Sequence, residues 1–188
     1  MSPDLSLFHW INGFAGHAPL VDALMVACAK YSPIVFAGVL LACWATWRLD
    51  WQRTAALAGL AALLGLGIGQ LVGRAVPRVR PSAPTATVLT PHAPDSSFPS
   101  DHAILACAVA MVLATRSRRL GVALAVFTVL VLVSRVYVGA HYPADVLGGA
   151  VIGGLAAVVT LRAARLPIVA TWIGAIFAGL GRVRLAAR

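Results

Sequence analysis

Residues 120–161 read LGVALAVFTVLVLV (Leu120–Val133), SRVYVGAHYPAD (Ser134–Asp145) and VLGGAVIGGLAAVVTL (Val146–Leu161). Two apolar runs flank a short segment that holds a guanidinium, an imidazole and a carboxylate. The runs predict spans over Leu120–Val138 and Tyr142–Leu161, each near the roughly 20 residues that cross a bilayer. Ionisable groups in or beside a membrane are costly, which makes Arg135, His141 and Asp145 candidate site residues. His141 and Asp145 are four apart, a spacing that puts them on one helical face.

Working outward, the whole chain has the same character. Of 188 residues, 60% are hydrophobic and 11% charged, against roughly 25% charged in a soluble domain. Mean hydropathy is +0.88. This is the composition of an integral membrane protein, read as one membrane-embedded domain over residues 1–188. The net charge of +9 comes from fourteen Arg and one Lys against six Asp and no Glu. The arginines cluster at the ends of apolar runs, so they report topology and contact with anionic lipid, not nucleic acid. Cys28, Cys43 and Cys107 are isolated in apolar runs without metal-ligand spacing and read as packing residues. The N-terminus has no basic region or cleavage site of the kind that marks a removable signal.

In chain order, Leu5–Phe14 is short and amphipathic and predicts an interfacial helix. Pro19–Ala29 and Pro33–Trp47, divided by Lys30, Ser32 and Pro33, read either as two short helices, the favoured reading, or as one long helix kinked at Pro33. Thr54–Val72 is a Gly-rich span suited to close packing. Residues 73–100 hold five prolines between Pro77 and Pro94, so no helix holds through them and a functional loop is expected. His102–Thr115 is a further apolar helix, and Pro167–Leu180 an interfacial segment before a basic tail. The fold class is therefore an all-α polytopic membrane bundle of about six transmembrane helices plus short interfacial ones.

Arginine sets the orientation. Arg48 and Arg53, Arg116, Arg118 and Arg119, Arg162 and Arg165, and the tail arginines fall on one set of connections, which the positive-inside rule makes cytoplasmic. Lys30, the 73–100 loop and the Arg135–Asp145 segment fall on the other, placing both polar stretches on the outer face of the cell membrane.

On that face Arg80-Pro81, then Phe98-Pro-Ser-Asp-His102, then Arg135, His141 and Asp145 converge. Guanidinium forks match phosphate oxygens and stay charged at any working pH. Ser100-Asp101-His102 opens a helix, whose N-terminus favours an anion. A histidine held by a carboxylate can act as nucleophile while a second histidine protonates the leaving group. Taken singly, each residue has a structural reading: Arg135 as a snorkelling arginine, Asp145, Ser100 or Asp101 as helix caps. His92 and Asp95 either meet substrate or shape the Pro-rich loop. His9, Asn12 and His17 read as interfacial or packing residues, and Asp22 has no assigned role.

The order Arg-Pro, Pro-Ser-Asp-His and Ser134-Arg135-x5-His141-x3-Asp145 resembles the three-part signature of the type 2 phosphatidic acid phosphatase superfamily, over about Leu5 to Leu161. The resemblance implies a metal-independent membrane phosphatase working through a phosphohistidine. His141 would attack phosphorus, with Asp145 orienting and charging it. His102 would protonate the departing oxygen and later activate water. Arg80, Ser100 and Arg135 would hold the phosphoryl oxygens. The signature departs from the family where a lysine is usual and Gly73 stands here, leaving Arg74 or Arg78 to substitute. Pro-Ser-Asp-His, with Asp101 in place of Gly, and the opening Phe8-His-Trp-Ile-Asn12 are similar to undecaprenyl-pyrophosphate phosphatases of the bacitracin-resistance type. Asp101, Arg74 and His92 thus join the substrate-binding candidates. The expected substrate is a polyprenyl diphosphate lipid, with membrane lipids around it. No cofactor, metal, nucleic acid or protein partner is expected. A broader phosphatase for phosphatidic acid or phosphatidylglycerol phosphate is the alternative within the class, and a non-enzymatic membrane protein with a degenerate site the alternative outside it.

Overall fold

The computed structural model describes residues 2–91, 95–171 and 174–175. The elements assigned among them are α1 (Pro3–Asn12), α2 (Pro19–Ala45), α3 (Leu49–Ala75), α4 (Asp101–Ala114), α5 (Arg118–Tyr137) and α6 (Pro143–Ala163). Helices α2, α3, α5 and α6 are long and apolar enough to cross a membrane. Helix α4, with 14 residues, rises only about 21 Å at about 1.5 Å per residue. It is short because the bilayer is not its surroundings. Helices α2, α3, α5 and α6 pack around it, and Ala103, Ile104, Val109, Val112 and Leu113 have no exposed surface.

The expected pair of short helices before Arg48 is instead one continuous helix, α2, with Pro33 inside it. Proline at 33 cannot donate to the carbonyl of Ala29, which normally ends a helix. Here Arg135 Nη1 donates to the Ala29 oxygen at 3.1 Å. A neighbouring helix thus satisfies the freed acceptor, as proline in membrane helices requires. Lys30 consequently lies within a helix and not in a connection.

Helix α1 begins two residues before the expected interfacial segment because Ser2 caps it and Pro3 occupies its first turn. It buries Phe8 and Asn12 and leaves Leu7 and Trp10 exposed, as is Phe14 just beyond its end, the one-sided pattern of a helix lying in the interface. Helix α6 packs against α4 through Gly149 and Gly153. A Cβ on Gly153 would stand 2.3 Å from the Ile104 carbonyl oxygen, so the two backbones approach as only glycine allows.

The arginine-rich connections meet at one end of the bundle. Arg116, from the α4–α5 turn, pairs with Asp50 of α3 and lies 5.0 Å over the Trp51 ring. At the other end the long loop is sewn to the α5–α6 junction. Asn12 Nδ2 donates to the carbonyls of Thr87 and Tyr137, each at 2.8 Å, and its Oδ1 accepts from Thr87 N at 2.9 Å. Leu89 N donates to the Val138 carbonyl at 3.1 Å and Ser100 N to that of Asp145 at 3.0 Å. Asp22, unassigned from sequence, accepts from the Tyr137 hydroxyl at 2.7 Å. Residues 167–171 are helical; most of the expected interfacial segment and the basic tail lie outside the described residues.

Candidate active site

His141 precedes α6 and does not share a helical face with Asp145. Pro143 starts the helix, Tyr142 is its N-cap, and Asp145 is the third helical residue, whose side chain accepts from Tyr142 N at 2.8 Å. The His141 side chain is 2% exposed and that of Asp145 0%. The His141 Nδ1–H donates to the Ser97 carbonyl at 2.8 Å, which leaves the lone pair on Nε2. That atom faces Arg80 Nη1 at 3.1 Å. A carbonyl accepts but cannot donate, so the hydrogen bond at one nitrogen fixes the tautomer at the other.

Asp145 sits 3.8 Å from His141 Nδ1, beyond a hydrogen bond. Ser97 stands between them, offering its carbonyl to the imidazole and its hydroxyl to Asp145 Oδ2. The other carboxylate oxygen accepts from Arg78 Nη1 at 2.7 Å. Arg78 also pairs with Asp4 and stacks 4.2 Å over the Tyr142 ring. This arginine is therefore committed to holding Asp145 and is not the substitute phosphate ligand that sequence allowed. Burial works against the Arg78 charge, yet Asp4 and Asp145 raise its pKa above the ordinary value. His141 moves the other way. Burial lowers its pKa, with Arg135 and Arg80 adding repulsion and Asp145 opposing them, so the neutral imidazole persists below the usual histidine range.

Arg80 is braced on several sides. Its guanidinium donates to Ala140 O at 2.9 Å, Ser96 O at 3.3 Å and Asp95 Oδ1 at 2.9 Å. A cavity of about 520 Å³ opens beside it, walled by Arg80, Asp95, His102 and Arg135 and by Lys30 of α2. Two buried polar atoms, Nε of the wall residue Arg135 and Oγ of Ser100 at the start of α4, have no hydrogen-bond partner among the described residues. Such atoms are costly unless something polar reaches them, and an oxyanion would.

A second cavity of about 290 Å³ lies across Arg80 and Asp95 and takes in Gln70, Arg74 and Asp101. Asp101 accepts there from Gln70 Nε2 at 3.2 Å. Arg74 and Asp101 are thus neighbours of the His102 cavity and not part of its wall. A Cβ on Gly73 would stand 3.1 Å from the Phe98 carbonyl oxygen, so the position that lacks lysine is pressed against the loop. His92 lies outside the described residues. Sequence reasoning missed Ser97, Asp4 and the clamp by Asn12, none of which carries a motif.

A family model described as the PAP2 superfamily matches residues 53–167. The chain is 37% identical over 147 residues to undecaprenyl-diphosphatase BcrC of Bacillus subtilis (strain 168), covering 78% of this chain and 76% of that one. It is 33% identical to the putative undecaprenyl-diphosphatase YbjG of Escherichia coli (strain K12), covering 80% of this chain and 77% of that one. Among solved structures, Aquifex aeolicus LpxE superposes with a TM-score of 0.75 at 25% identity, over 86% of this chain and 96% of that one. With a match over most of its length and all three motif segments gathered at one end of a helical membrane bundle, the chain belongs to the PAP2 superfamily.

Proposed function

We propose that the protein is a multi-pass membrane phosphatase that removes the terminal phosphate of undecaprenyl diphosphate, or a similar polyprenyl diphosphate, at the outer face of the cell membrane. The observation that carries this reading is the arrangement at His141: a buried neutral imidazole whose unprotonated Nε2 accepts from a braced arginine. That is the protonation state a nucleophile needs. The names borne by BcrC and YbjG supply the substrate class, and the arginine distribution supplies the orientation.

In this mechanism Nε2 of His141 attacks the terminal phosphorus and the bond from phosphorus to the bridging oxygen breaks. His102 enters the step protonated, the phosphate charge of the substrate offsetting the burial and arginine repulsion that lower its pKa, and gives that oxygen its proton, releasing polyprenyl monophosphate and leaving a phosphohistidine and a neutral His102. Water then attacks the same phosphorus, passes a proton to His102, and phosphate departs as Nε2 regains its lone pair. Arg80 and Arg135, with Ser100 Oγ, hold the equatorial oxygens, where most transition-state charge collects. Asp145 acts through Ser97, which keeps the imidazole oriented.

The test is phosphate release by the detergent-purified protein from undecaprenyl diphosphate and from phosphatidic acid, with and without EDTA. The reading requires turnover of the diphosphate, resistance to EDTA and loss of activity in His141→Ala. Full activity in that variant would overturn the mechanism, and a preference for phosphatidic acid would replace the substrate assignment.

A further inference from the structure

Lys30 is the chain's sole lysine, and it lies eleven residues into a membrane helix. Fifteen residues separate it from the end of α2 at Ala45, about 22 Å at about 1.5 Å per residue. That depth is within the hydrocarbon thickness measured from the arginine-rich end. A lysine so placed faces a cavity or a partner in most membrane proteins, and marks a substrate path. Among the described residues Lys30 makes no ion pair with a carboxylate, and its Nζ lies 5.3 Å from the centre of the Tyr31 ring.

Its location is fixed by Pro33. Because Pro33 leaves the Ala29 carbonyl to Arg135, the residue after Ala29 is brought beside the site and forms part of the wall of the same cavity as Arg80, His102 and Arg135. That wall carries three basic side chains against one carboxylate, Asp95, which Arg80 already pairs at 2.8 Å. In the mechanism proposed above, one phosphoryl group bonded to His141 would engage Arg80 and Arg135. The remaining basic side chain, Lys30 on α2, lines the same cavity as the loop residues Leu89–Pro91.

We propose that Lys30 binds the second, non-transferred phosphate of the substrate and thereby makes the site select diphosphates over monophosphates. The assignment rests on the diphosphatase reading above. A diphosphate places its second group beyond the reacting phosphorus on the leaving side, where His102 also acts. Val26, Leu89 and Pro91 then give the start of an apolar chain a surface to lie on.

The experiment compares wild type, Lys30→Met and Lys30→Arg in detergent. It measures kcat/KM for undecaprenyl diphosphate and the inhibition constants of methylenediphosphonate, which cannot be hydrolysed, and of inorganic phosphate. Lys30→Met should lower kcat/KM and weaken methylenediphosphonate at least about tenfold, the loss expected for one charge-assisted contact. Phosphate inhibition should change less than twofold, and Lys30→Arg should recover most of the loss. A monodisperse size-exclusion peak and unchanged thermal unfolding separate this from misfolding. Equal weakening of both inhibitors would mean that Lys30 only shapes the pocket, and an unaltered diphosphonate constant would mean that it only meets lipid or water; either overturns the proposal. Wild-type protein that fails to turn over the diphosphate would refute the underlying reading as well, whereas normal wild-type turnover with an indifferent Lys30→Met refutes the lysine assignment alone.

Discussion

Asp4 is the perturbation most distant in sequence from the reacting atoms that should still change the rate. It lies on α1, yet its Oδ1 accepts from Ala144 N at 2.8 Å, in the first turn of α6, and its Oδ2 pairs with Arg78. Arg78 in turn holds Asp145 at 2.7 Å, and Asp145 reaches His141 through Ser97. Replacing Asp4 by Ala removes one charge-assisted bond and one helix N-terminal acceptor. The side chains of Arg78 and Asp4 are 31% and 21% exposed, so water tempers the ion pair. Its loss should cost about 1.5 kcal/mol, the low end for hydrogen bonds to charged groups, or about tenfold in kcat/KM if the strain passes to His141. Asp4→Asn separates the two parts. Its amide oxygen still accepts from Ala144 N, but its NH2 meets the Arg78 donors, so helix capping survives and the ion pair does not. Initial rates of phosphate release with both variants, alongside thermal unfolding in detergent, provide the assay. Asn should then cost nearly as much rate as Ala with a smaller loss of stability. If both variants keep kcat/KM within twofold, the connection from α1 to Asp145 has no catalytic consequence and the reasoning fails.

Three further perturbations follow from the same contacts. In the proposed mechanism His141 must be neutral, and burial lowers its pKa, so on the acid side activity should persist until pH falls through that depressed value; the acid limb of kcat/KM against pH should lie below about 6.5, the ordinary histidine value, and a limb at or above it would contradict the environment described. Gly153→Ala places a methyl 2.3 Å from the Ile104 carbonyl oxygen and should destabilise by about 1–3 kcal/mol, seen as a lower Tm, whereas Gly67→Ala, with nothing within 4 Å, should leave Tm unchanged. Pro33→Ala returns an N–H to the Ala29 carbonyl in competition with Arg135 Nη1; kcat/KM should drop severalfold while Tm holds or rises, since proline inside a helix costs roughly 3 kcal/mol, and unchanged kinetics would show that Arg135 is positioned without that carbonyl.

What could be read from the sequence depended on how local the signal was. The spans around Arg135–Asp145 were legible because a long apolar run admits few other structures in a chain this poor in charge. His102, Arg135, His141 and Asp145 stood out because ionisable types interrupted those runs at helix ends, and Arg80, in the Pro-rich loop, stood out through its Arg-Pro motif. Two local rules misled. Pro33 predicts a break, but its carbonyl partner is satisfied by a residue 106 positions away, which no local window contains. The four-residue spacing of His141 and Asp145 predicts a shared helical face, but Pro143 starts α6 between them. Asp4, Asn12 and Ser97 were illegible for a related reason: each is a single polar residue whose partners lie 74, 75 and 48 positions distant, with no periodicity to announce it.

The placement of Ser97 bears on how the carboxylate works. Asp145 already accepts from Ser97 Oγ and Tyr142 N at one oxygen and from Arg78 at the other, so its lone pairs are largely spoken for. The Nδ1 proton of His141 goes to a backbone carbonyl instead. A carboxylate bonded directly to Nδ1 would favour imidazolium before attack, which would protect the wrong species; a neutral carbonyl orients the ring and leaves Nε2 basic. The negative charge of Asp145, 3.8 Å off, remains close enough to favour positive charge on the ring once phosphorus has bonded to it. In the proposed mechanism this geometry separates two tasks usually assigned to one group: Ser97 would set the tautomer in the ground state, and Asp145 would supply the field as a phosphohistidine forms.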